Sequence, residues 1–499
     1  MQQPPFPKPR NRFYRLSALT FIILAGCGGP SVSGPVPGAA TPHKGVTLKL
    51  SCPDAAFAAA VGPTARAWAN RTGAAVEILP APMTTGDAAD LAVIPFADLG
   101  TWAERGDLAP APASLRAGDN AYQWLSVLPA YRNLLTAWGG QVLGLPLAGD
   151  GHVLVYRADR FADKATAERF AKELNRNPTP PATWDEFAAV ALFFNRLDGK
   201  PCLPALPDDG AKLTAAFLRV AASYDRQALN ESALARMSAD ANFAASVLSF
   251  EFNLETGEPR VAGPGFEAAA GLLAGLKACR GTVADPVEAL KAGAVMAVLS
   301  LEEVARLPKD GATVQGKFGV AAIPGTRSAI DPATGQPRPP GDATTNYVPF
   351  VSGGRLGVVR KSSANAGAAF ELLAELSGPD GSQQILSATT LGAGPFRSTH
   401  LDRDRVLPWL GYGFDADRSK AFQEALRSFV GVQVGNPAVC QRGPDHAAVT
   451  AALAGELQKI ASGGTPPGEG LKRVASAWSA DPAPAADRLK WRRRAAGFN

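Results

Sequence analysis

The sequence predicts an α/β fold divided into two lobes, each with a mixed β-sheet flanked by helices. Short strand-like segments alternate with segments of helical length, which is the pattern of sheets joined by helical connections. A folded region of about 470 residues is also too long for one hydrophobic core. Hydrophobic residues make up 46 % of the chain, and the long apolar run lies at the N-terminus, so the remainder is expected to be globular.

Residues 1–26 have the three zones of a secretory signal peptide. A basic start precedes the apolar stretch Leu16–Ala25, which ends in small residues. Ten apolar residues are too few to cross a bilayer core, which takes about 20. Cys27 follows Leu-Ala-Gly, a sequence similar to the lipobox of bacterial lipoproteins, in which the cysteine thiol is acylated. An ordinary signal peptide with an incidental cysteine is the alternative.

The segment that follows, 27–45, is rich in Gly, Pro, Ser and Ala, and this composition predicts a flexible tether. We therefore expect an exported lipoprotein, anchored in a membrane on its extracytoplasmic side. Several acyl chains together anchor a protein firmly, because each buried methylene contributes about 0.8 kcal/mol.

The positive charge lies at the two ends of the chain. The formal net charge is +5; the first 26 residues carry four positive charges and the last thirteen contribute +4, so the remainder is −3. Such a body lacks the basic surface of a nucleic-acid-binding protein, and we predict no nucleic-acid partner. The basic tail at 483–499 either contacts anionic lipid or is a solvated end.

The region after the tether alternates between strands and helices. The patterns predict strands at 46–51, 74–80 and 90–94 and helices at 55–72 and 97–105. Parallel sheets bind ligands outside the carboxyl ends of their strands. The loop Pro95–Asp98 occupies that position after the third strand.

A candidate hinge follows. Two strand-like runs, 141–147 and 152–156, flank Ala148-Gly149-Asp150-Gly151, whose small residues can absorb the dihedral changes of a crossover between lobes. Further on, Thr183 and Glu186 have the spacing of a capping box that begins a helix. The later elements are a helix and strand over 289–301, a strand at 318–325, a loop at 331–342, a strand pair at 348–360, and helices at 365–377 and ending at Trp478.

Six segments resemble, in order, those of extracellular solute-binding proteins of family 1, the sugar-binding type that serves ABC importers. They are 90–110, 142–161, 181–187 with its Pro-Ala-Thr-Trp-Asp-Glu-Phe, 290–299, 318–325 and 353–376. The resemblance implies the two-lobed periplasmic-binding-protein fold of type II. It also implies a monomer that captures a small solute, with a sugar as the expected class, and delivers it to ABC permease subunits.

The resemblance further implies how the chain is divided. One lobe would hold 46–151 and 300–358, and the other would hold 152–299 and 359–482. Cys202 and Cys279 would then share a lobe, which makes them the more plausible disulfide in an exported protein. Cys52 and Cys440 would lie in opposite lobes.

Candidate solute contacts lie at loops and crossovers. A sugar favours aromatic faces together with a few placed polar groups. Phe96 and Asp98 follow the third strand and would suit such a site, although Phe96 could instead cap the core and Asp98 begin a helix. Asp150 and His152 flank the first crossover.

The other candidates lie further along the chain. Ser300 and Glu302 follow the second crossover, and Glu302 has the alternative of a solvated helix residue. Trp409 and Tyr412, in a loop between helices, form either a carbohydrate platform or part of the core. The resemblance adds the pair Gln441 and Arg442, before a helix that starts near position 445.

Two other functions are open on the sequence: a sensory or scaffolding lipoprotein with the same fold, and a glycan-acting enzyme. The four histidines are scattered, and the sequence has no Gly-x-Ser-x-Gly, His-x-x-x-His or phosphate-binding loop motif. The sequence does not exclude a pair of carboxylates arranged for glycoside hydrolysis. We predict a binding protein with no catalytic residue, no metal and no cofactor.

We expect Cys27→Ser to move the protein from the membrane fraction to the soluble extracytoplasmic fraction, because the thiol is the acylation site. Fractionation with immunoblotting measures this. Ser33→Ala, in the same tether, serves as the matched control and should stay with the membrane. Retention of the Cys27→Ser protein in membranes would contradict the anchor.

Overall fold

The computed structural model describes residues 41–84, 86–118, 120–307, 317–339, 345–405, 407–431 and 435–499. The signal peptide, Cys27 and most of the expected tether lie outside these residues, as does the end of the loop predicted at 331–342. In the described part, no helix is both long enough and apolar enough to span a membrane.

The described strands and helices alternate along most of the chain. The strands are β1 Thr47–Ser51, β2 Ala75–Leu79, β3 Leu91–Pro95, β4 Ala137–Trp138, β5 Gln141–Val142, β6 Gly144–Ala148, β7 His152–Arg157, β8 Met296–Ser300, β9 Phe318–Ala321, β10 Phe350–Val351, β11 Arg355–Val359 and β12 Ala438–Val439. The first helices are α1 Ala55–Thr72, α2 Leu99–Glu104, α3 Ala158–Ala162, α4 Lys164–Leu174, α5 Trp184–Asp198, α6 Gly210–Asp225, α7 Glu231–Ala239, α8 Ala241–Leu248 and α9 Pro264–Gly275. The remaining helices are α10 Pro286–Lys291, α11 Leu301–Ala305, α12 Ala366–Ser377, α13 Pro379–Ser387, α14 Leu407–Leu410, α15 Ala416–Phe429, α16 His446–Ala461, α17 Pro467–Ser479 and α18 Ala485–Ala495.

The larger sheet is mixed and has the strand order β2-β1-β3-β11-β6. β1 pairs in parallel with β2 and β3, whereas β11 is antiparallel to β3 and β6. Leu91–Ile94 are all buried, as expected of a central strand covered on both faces. Helices α1 and α12 pack together, and each also contacts strands of this sheet.

The second sheet is antiparallel and has the order β8-β7-β9. Its central strand β7 buries Val153, Leu154 and Val155 completely. Helices α3 and α15 contact it from the outside. β6 ends the first sheet and β7 begins the second, with only Gly149–Gly151 between them, so the predicted first crossover lies where two sheets meet.

Two segments of the chain pack on a different sheet from the one that the expected division into lobes gives them. The strand at 318–321 pairs with β7 of the second sheet, although 300–358 was assigned to the first lobe. Helix α12 packs against α1, β6 and β11 of the first sheet, although 359–482 was assigned to the second lobe. Both sheets bury apolar strands in the same way, so hydrophobic pattern does not show which sheet a strand or helix joins.

The local signals that begin and end helices are confirmed. The Asp54 carboxylate accepts a hydrogen bond from the Phe57 amide at 2.8 Å and begins α1, and Gly73 ends it with φ of 78°. Thr183 accepts from the Glu186 amide at 3.2 Å and begins α5. The Glu186 carboxylate, in return, accepts from the Ala182 amide.

The basic C-terminal segment is a docked helix, α18, and not a solvated end. Arg492 is 3 % exposed and forms a buried ion pair with Asp445, just before α16. Arg494 lies 2.6 Å from Glu104 at the end of α2, so the helix contacts elements far apart in the sequence. The sequence did not indicate that this helix docks, because a run of arginines has the same composition whether its side chains are solvated or paired.

Breaking the buried ion pair with Arg492→Met should lower the free energy of unfolding by about 3–5 kcal/mol, because Asp445 would keep an unpaired buried charge. Urea denaturation measures the change. Arg403→Met is the control: Arg403 is 79 % exposed beside exposed Glu424, and its loss should cost about 1 kcal/mol or less. Equal effects of the two substitutions would show that α18 does not depend on this pair.

Candidate ligand-binding site

A cavity of about 1000 Å³ opens beside the second sheet and extends to the crossover. The lining includes the loop 203–209, helix α6, helix α9 and part of β8. It also includes the crossover, the start of β7 and segments that follow β3, β10 and β12. The residues from these elements are Ala97, Asp150, His152, Ser352, Gly353, Cys440, Gln441 and His446.

The cavity brings together four of the residues predicted from the sequence. Asp150, His152, Ser300 and Gln441 all line it. Ala97, between the predicted Phe96 and Asp98, lines it as well.

Asp150 is buried at the crossover and has a full set of protein partners. One carboxylate oxygen accepts hydrogen bonds from the Ser352 and Gly353 amides at 2.8 Å each, and the other accepts from the Gly151 amide at 2.8 Å. His152 Nδ1 lies 3.1 Å from the same carboxylate. Asp150 therefore joins the β6–β7 crossover to the segment before β11, a positioning role and not the solute contact that the sequence suggested.

The electrostatics favour the charged form of this carboxylate. Burial acts to raise the pKa of Asp150, but His152, the Arg219 guanidinium and the Ser352 amide outweigh it and hold the pKa well below its ordinary value. Burial and the Arg219 charge, in turn, lower the pKa of His152.

Arg219 is the buried cation beside Asp150, and sequence analysis missed it. It lies on α6, is 3 % exposed, and donates through Nη2 to His152 at 3.3 Å and to Ser352 Oγ at 3.4 Å. Its guanidinium carbon lies 6.0 Å from the centre of the Phe429 ring. The Nε atom has no hydrogen-bond partner among the residues that the structure describes, and Arg219 lines the cavity.

Glu251 is a second polar group that sequence analysis missed. Burial raises its pKa to about 8, so its carboxyl is mostly protonated at neutral pH. Gln441 hydrogen-bonds it, while its Oε1 atom lacks a partner within the described part of the chain. A neutral buried carboxyl can both donate to and accept from a hydroxyl group.

The pair after the second crossover divides between two roles. Ser300 lines the cavity and also begins α11, where its hydroxyl accepts from the Glu303 amide at 3.3 Å. The Glu303 carboxylate in turn accepts a hydrogen bond from the Ser300 amide, which completes a capping box. Glu302 is an exposed residue of α11, which agrees with the alternative of a solvated helix residue.

Phe96 and Asp98 also separate. Phe96 is buried against Tyr131, with ring centres 5.7 Å apart, and belongs to the core. Asp98 is partly exposed, and its carboxylate lies 3.5 Å from Nε2 of His446, a cavity residue. Burial raises the pKa of Asp98.

Three predicted contacts lie away from the cavity. Trp409 is fully buried, donates to the His400 carbonyl at 3.2 Å and packs with Tyr412 on Phe422, so these rings form core and not a carbohydrate platform. Arg442 is fully buried and donates to backbone carbonyls, including that of Leu135 at 3.1 Å. An aromatic turn and a core cluster look alike in sequence, because neither composition nor spacing shows exposure.

The disulfide between Cys202 and Cys279 is not formed in this structure and stays a prediction, since the two cysteines lie side by side. Cys52, Cys202, Cys279 and Cys440 are all free thiols. Cys202 and Cys279 are neighbours, joined by a backbone hydrogen bond of 2.8 Å, but the Cys202 thiol donates to the Ala191 carbonyl at 3.1 Å. Burial raises the pKa of Cys202 to about 12, which opposes thiolate chemistry.

The missed residues had weak signals in the sequence. Arg219 interrupts an otherwise apolar face of α6, and an arginine there usually needs a buried partner. Glu251, by contrast, stands between Phe250 and Phe252, where only the folded chain shows its burial. Within the described ranges, no group of three or more His, Cys, Asp and Glu side chains is arranged to hold a metal ion.

The fold and this cavity define a solute-binding class of protein. The chain belongs to the bacterial extracellular solute-binding protein family, whose model matches residues 55–406. Among curated protein sequences, none matches the chain significantly.

This chain aligns with almost the whole length of several solved structures that have the same two-lobed fold. The cyclic α-maltosyl-1,6-maltose binding protein of Arthrobacter globiformis is 17 % identical, with a TM-score of 0.60, covering 89 % of this chain and 99 % of its own. The maltose-bound MalE3 of T. maritima is 16 % identical, with a TM-score of 0.58 and coverage of 87 % and 99 %. A solute-binding protein of Agrobacterium radiobacter K84 in complex with ribitol is 16 % identical, with a TM-score of 0.57 and coverage of 87 % and 98 %.

We expect Asp150→Asn to lower the free energy of unfolding by about 3–5 kcal/mol at neutral pH, because it leaves Arg219 without its buried counter-charge. Since the folded-state pKa of Asp150 is depressed, this contribution is fully present above about pH 4 and is lost as the pH falls. Urea denaturation at pH 7 and pH 3 should therefore show the difference from wild type shrinking in acid.

The matched control is Asp417→Asn, since the Asp417 side chain is 95 % exposed. It should change stability little at either pH. A difference between wild type and Asp150→Asn that stays constant from pH 7 to pH 3 would contradict the charged role of Asp150.

Proposed function

We propose that this protein captures a small, neutral, hydroxylated solute in the cavity beside the crossover and delivers it to an ABC importer. The observation that carries the proposal is the set of polar groups with spare hydrogen-bonding capacity at the cavity wall, Arg219 and Glu251. Such groups favour a ligand with several hydroxyls, because an unsatisfied buried polar atom costs free energy until it is paired.

The charge of the cavity supports a neutral solute. Burial lowers the pKa of Arg219, while Asp150, Tyr347 and Glu303 favour its charged form. Because the buried Asp150 carboxylate already supplies a negative charge near Arg219, we expect the guanidinium to bind a hydroxyl and not a second anion. The solved relatives with maltose-type sugars or ribitol agree with this class of ligand.

The mechanism is closure around the solute. The cavity is contributed by elements on both sides of the crossover, so a bound solute contacts both, and these contacts shift the population toward a closed form. Asp150 fixes the backbone of the crossover, because its carboxylate accepts hydrogen bonds from the Gly151, Ser352 and Gly353 amides. The two sheets, each with the helices that pack on it, are the bodies that would move.

We also propose where in the cell this protein is located. Acylation at Cys27 and the tether that follows would hold a monomeric receptor near the membrane that carries its permease. The family to which the chain belongs is described as extracellular, and this description supports export.

A thermal-shift panel of neutral sugars, oligosaccharides and polyols, with phosphorylated polyols and iron chelates as charged comparisons, tests the ligand class. Neutral ligands should raise the melting temperature with the logarithm of their concentration. A shift confined to charged ligands, or turnover of a bound sugar, would contradict the proposal. Small-angle scattering with a stabilising ligand should show a smaller radius of gyration, and an unchanged radius at saturation would reject closure.

Gln441→Ala should weaken binding of the same ligand by about two- to tenfold, the loss of one hydrogen bond. Gln336→Ala, on an exposed loop, is the matched control and should bind as wild type does. Isothermal titration calorimetry measures both. Equal affinity of the two variants would remove Gln441 from the site.

A further inference from the structure

The cavity wall changes from polar to aliphatic along two elements in the same direction. On β8, the polar Ser300 and the aliphatic Val298 line the cavity and are partly exposed, whereas Ala297 and Met296 line it but are buried. On α6, Arg219 lies at the polar end and Leu213 lies two turns earlier. At about 3.3 Å per strand residue and 1.5 Å per helix residue, the aliphatic part extends about 9–13 Å from the polar end.

The far end combines aliphatic and charged side chains, because Asp208, Asp209, Lys212, Arg280 and Asp285 line the cavity there as well. Leu206, Leu272 and Leu273 line the cavity and are only partly buried, so part of their surface faces it. The loop that carries Leu206 is held beside β8 by a 2.7 Å hydrogen bond from the Val295 amide to the Cys202 carbonyl. Arg280, at the same end, donates to the Leu273 carbonyl at 2.6 Å.

The cavity lacks the stacking surface that a purely sugar-like ligand favours. In the lining that the structure describes, the aromatic residues are Trp184, Phe187, Phe217 and Phe350, and each is at most 8 % exposed. Their rings are committed to the core and offer little face to a sugar. The apolar surface that the cavity does offer is aliphatic, which suits a flexible hydrocarbon group.

We propose that the solute is amphiphilic, with a neutral hydroxylated head at the Arg219–Ser300 end and a hydrocarbon group along Val298, Leu272 and Leu206. This inference rests on the proposed function and narrows its solute class to glycosides or polyols with an apolar substituent. The head pairs the spare atoms of Arg219 and Glu251, while the hydrocarbon group covers aliphatic surface that water would otherwise wet.

Two homologous ligand series test the inference: the methyl, butyl and hexyl β-D-glucosides and the corresponding maltosides, used below their micelle concentrations. Isothermal titration calorimetry should show affinity rising about fourfold per added methylene, and so about fifteenfold from butyl to hexyl, because each buried methylene favours binding to that extent.

The outcomes separate this inference from the proposed function. A sugar of the first panel that binds, together with alkyl series whose affinity does not rise with chain length, overturns the amphiphile and leaves the capture of a sugar intact. Failure of every sugar, polyol and alkyl glycoside to bind overturns both. Chain-length dependence in either series supports the inference.

A pair of valine variants places the hydrocarbon group. Val298→Thr keeps the shape of the side chain and adds a hydroxyl to the aliphatic wall, so hexyl glycoside binding should weaken at least about fivefold and the gain per methylene should fall. Val283→Thr, at a valine that is 39 % exposed outside the cavity, is the control and should keep the full gain. Equal chain-length dependence in both variants would overturn the placement along β8.

Discussion

The buried carboxylate of Asp150 is the constraint on which the arrangement of this molecule depends. It accepts backbone hydrogen bonds from Gly151 on its own crossover and from Ser352 and Gly353 on another segment. Those two segments lead into different sheets, so one side chain fixes where the sheets meet. The approach is close: a Cβ on Gly394 would lie 2.0 Å from the Asp150 carbonyl oxygen, which only glycine allows.

The order of elements was predictable because its signals are local. Gly73 ends α1 through a left-handed conformation, and Thr183 begins α5 through its side chain, as the sequence indicates. The small residues around Asp150 likewise marked the crossover. The pairing of strands was less accessible: β9 joins β7 across more than 150 positions of sequence, and nothing in its four residues distinguishes one sheet edge from another.

The binding site was predictable in position but not in composition. Residues at chain crossovers, such as His152 and Ser300, were found because topology alone places them at a cavity. Arg219 was missed because it lies within a helix whose neighbouring residues are core, and its exposure to the cavity is a tertiary property. Trp409 shows the converse error: it was predicted in a loop, but it lies in α14 and is buried against Phe422 of α15.

The link from cavity to crossover runs through Arg219 and Ser352. The Ser352 hydroxyl donates to Asp150 at 3.2 Å and accepts from Arg219 at 3.4 Å, so the cation at the cavity wall and the anion at the crossover share this partner as well as His152. Asp150 itself has no capacity left for a solute, whereas Arg219 retains its Nε donor, judged within the described residues. A hydroxyl bound at Arg219 would therefore contact a guanidinium that two hydrogen bonds, through Ser352, link to the carboxylate that positions both sheets. In the proposed mechanism, recognition and closure would meet at that guanidinium, and the aliphatic part of the cavity would add affinity without disturbing the crossover.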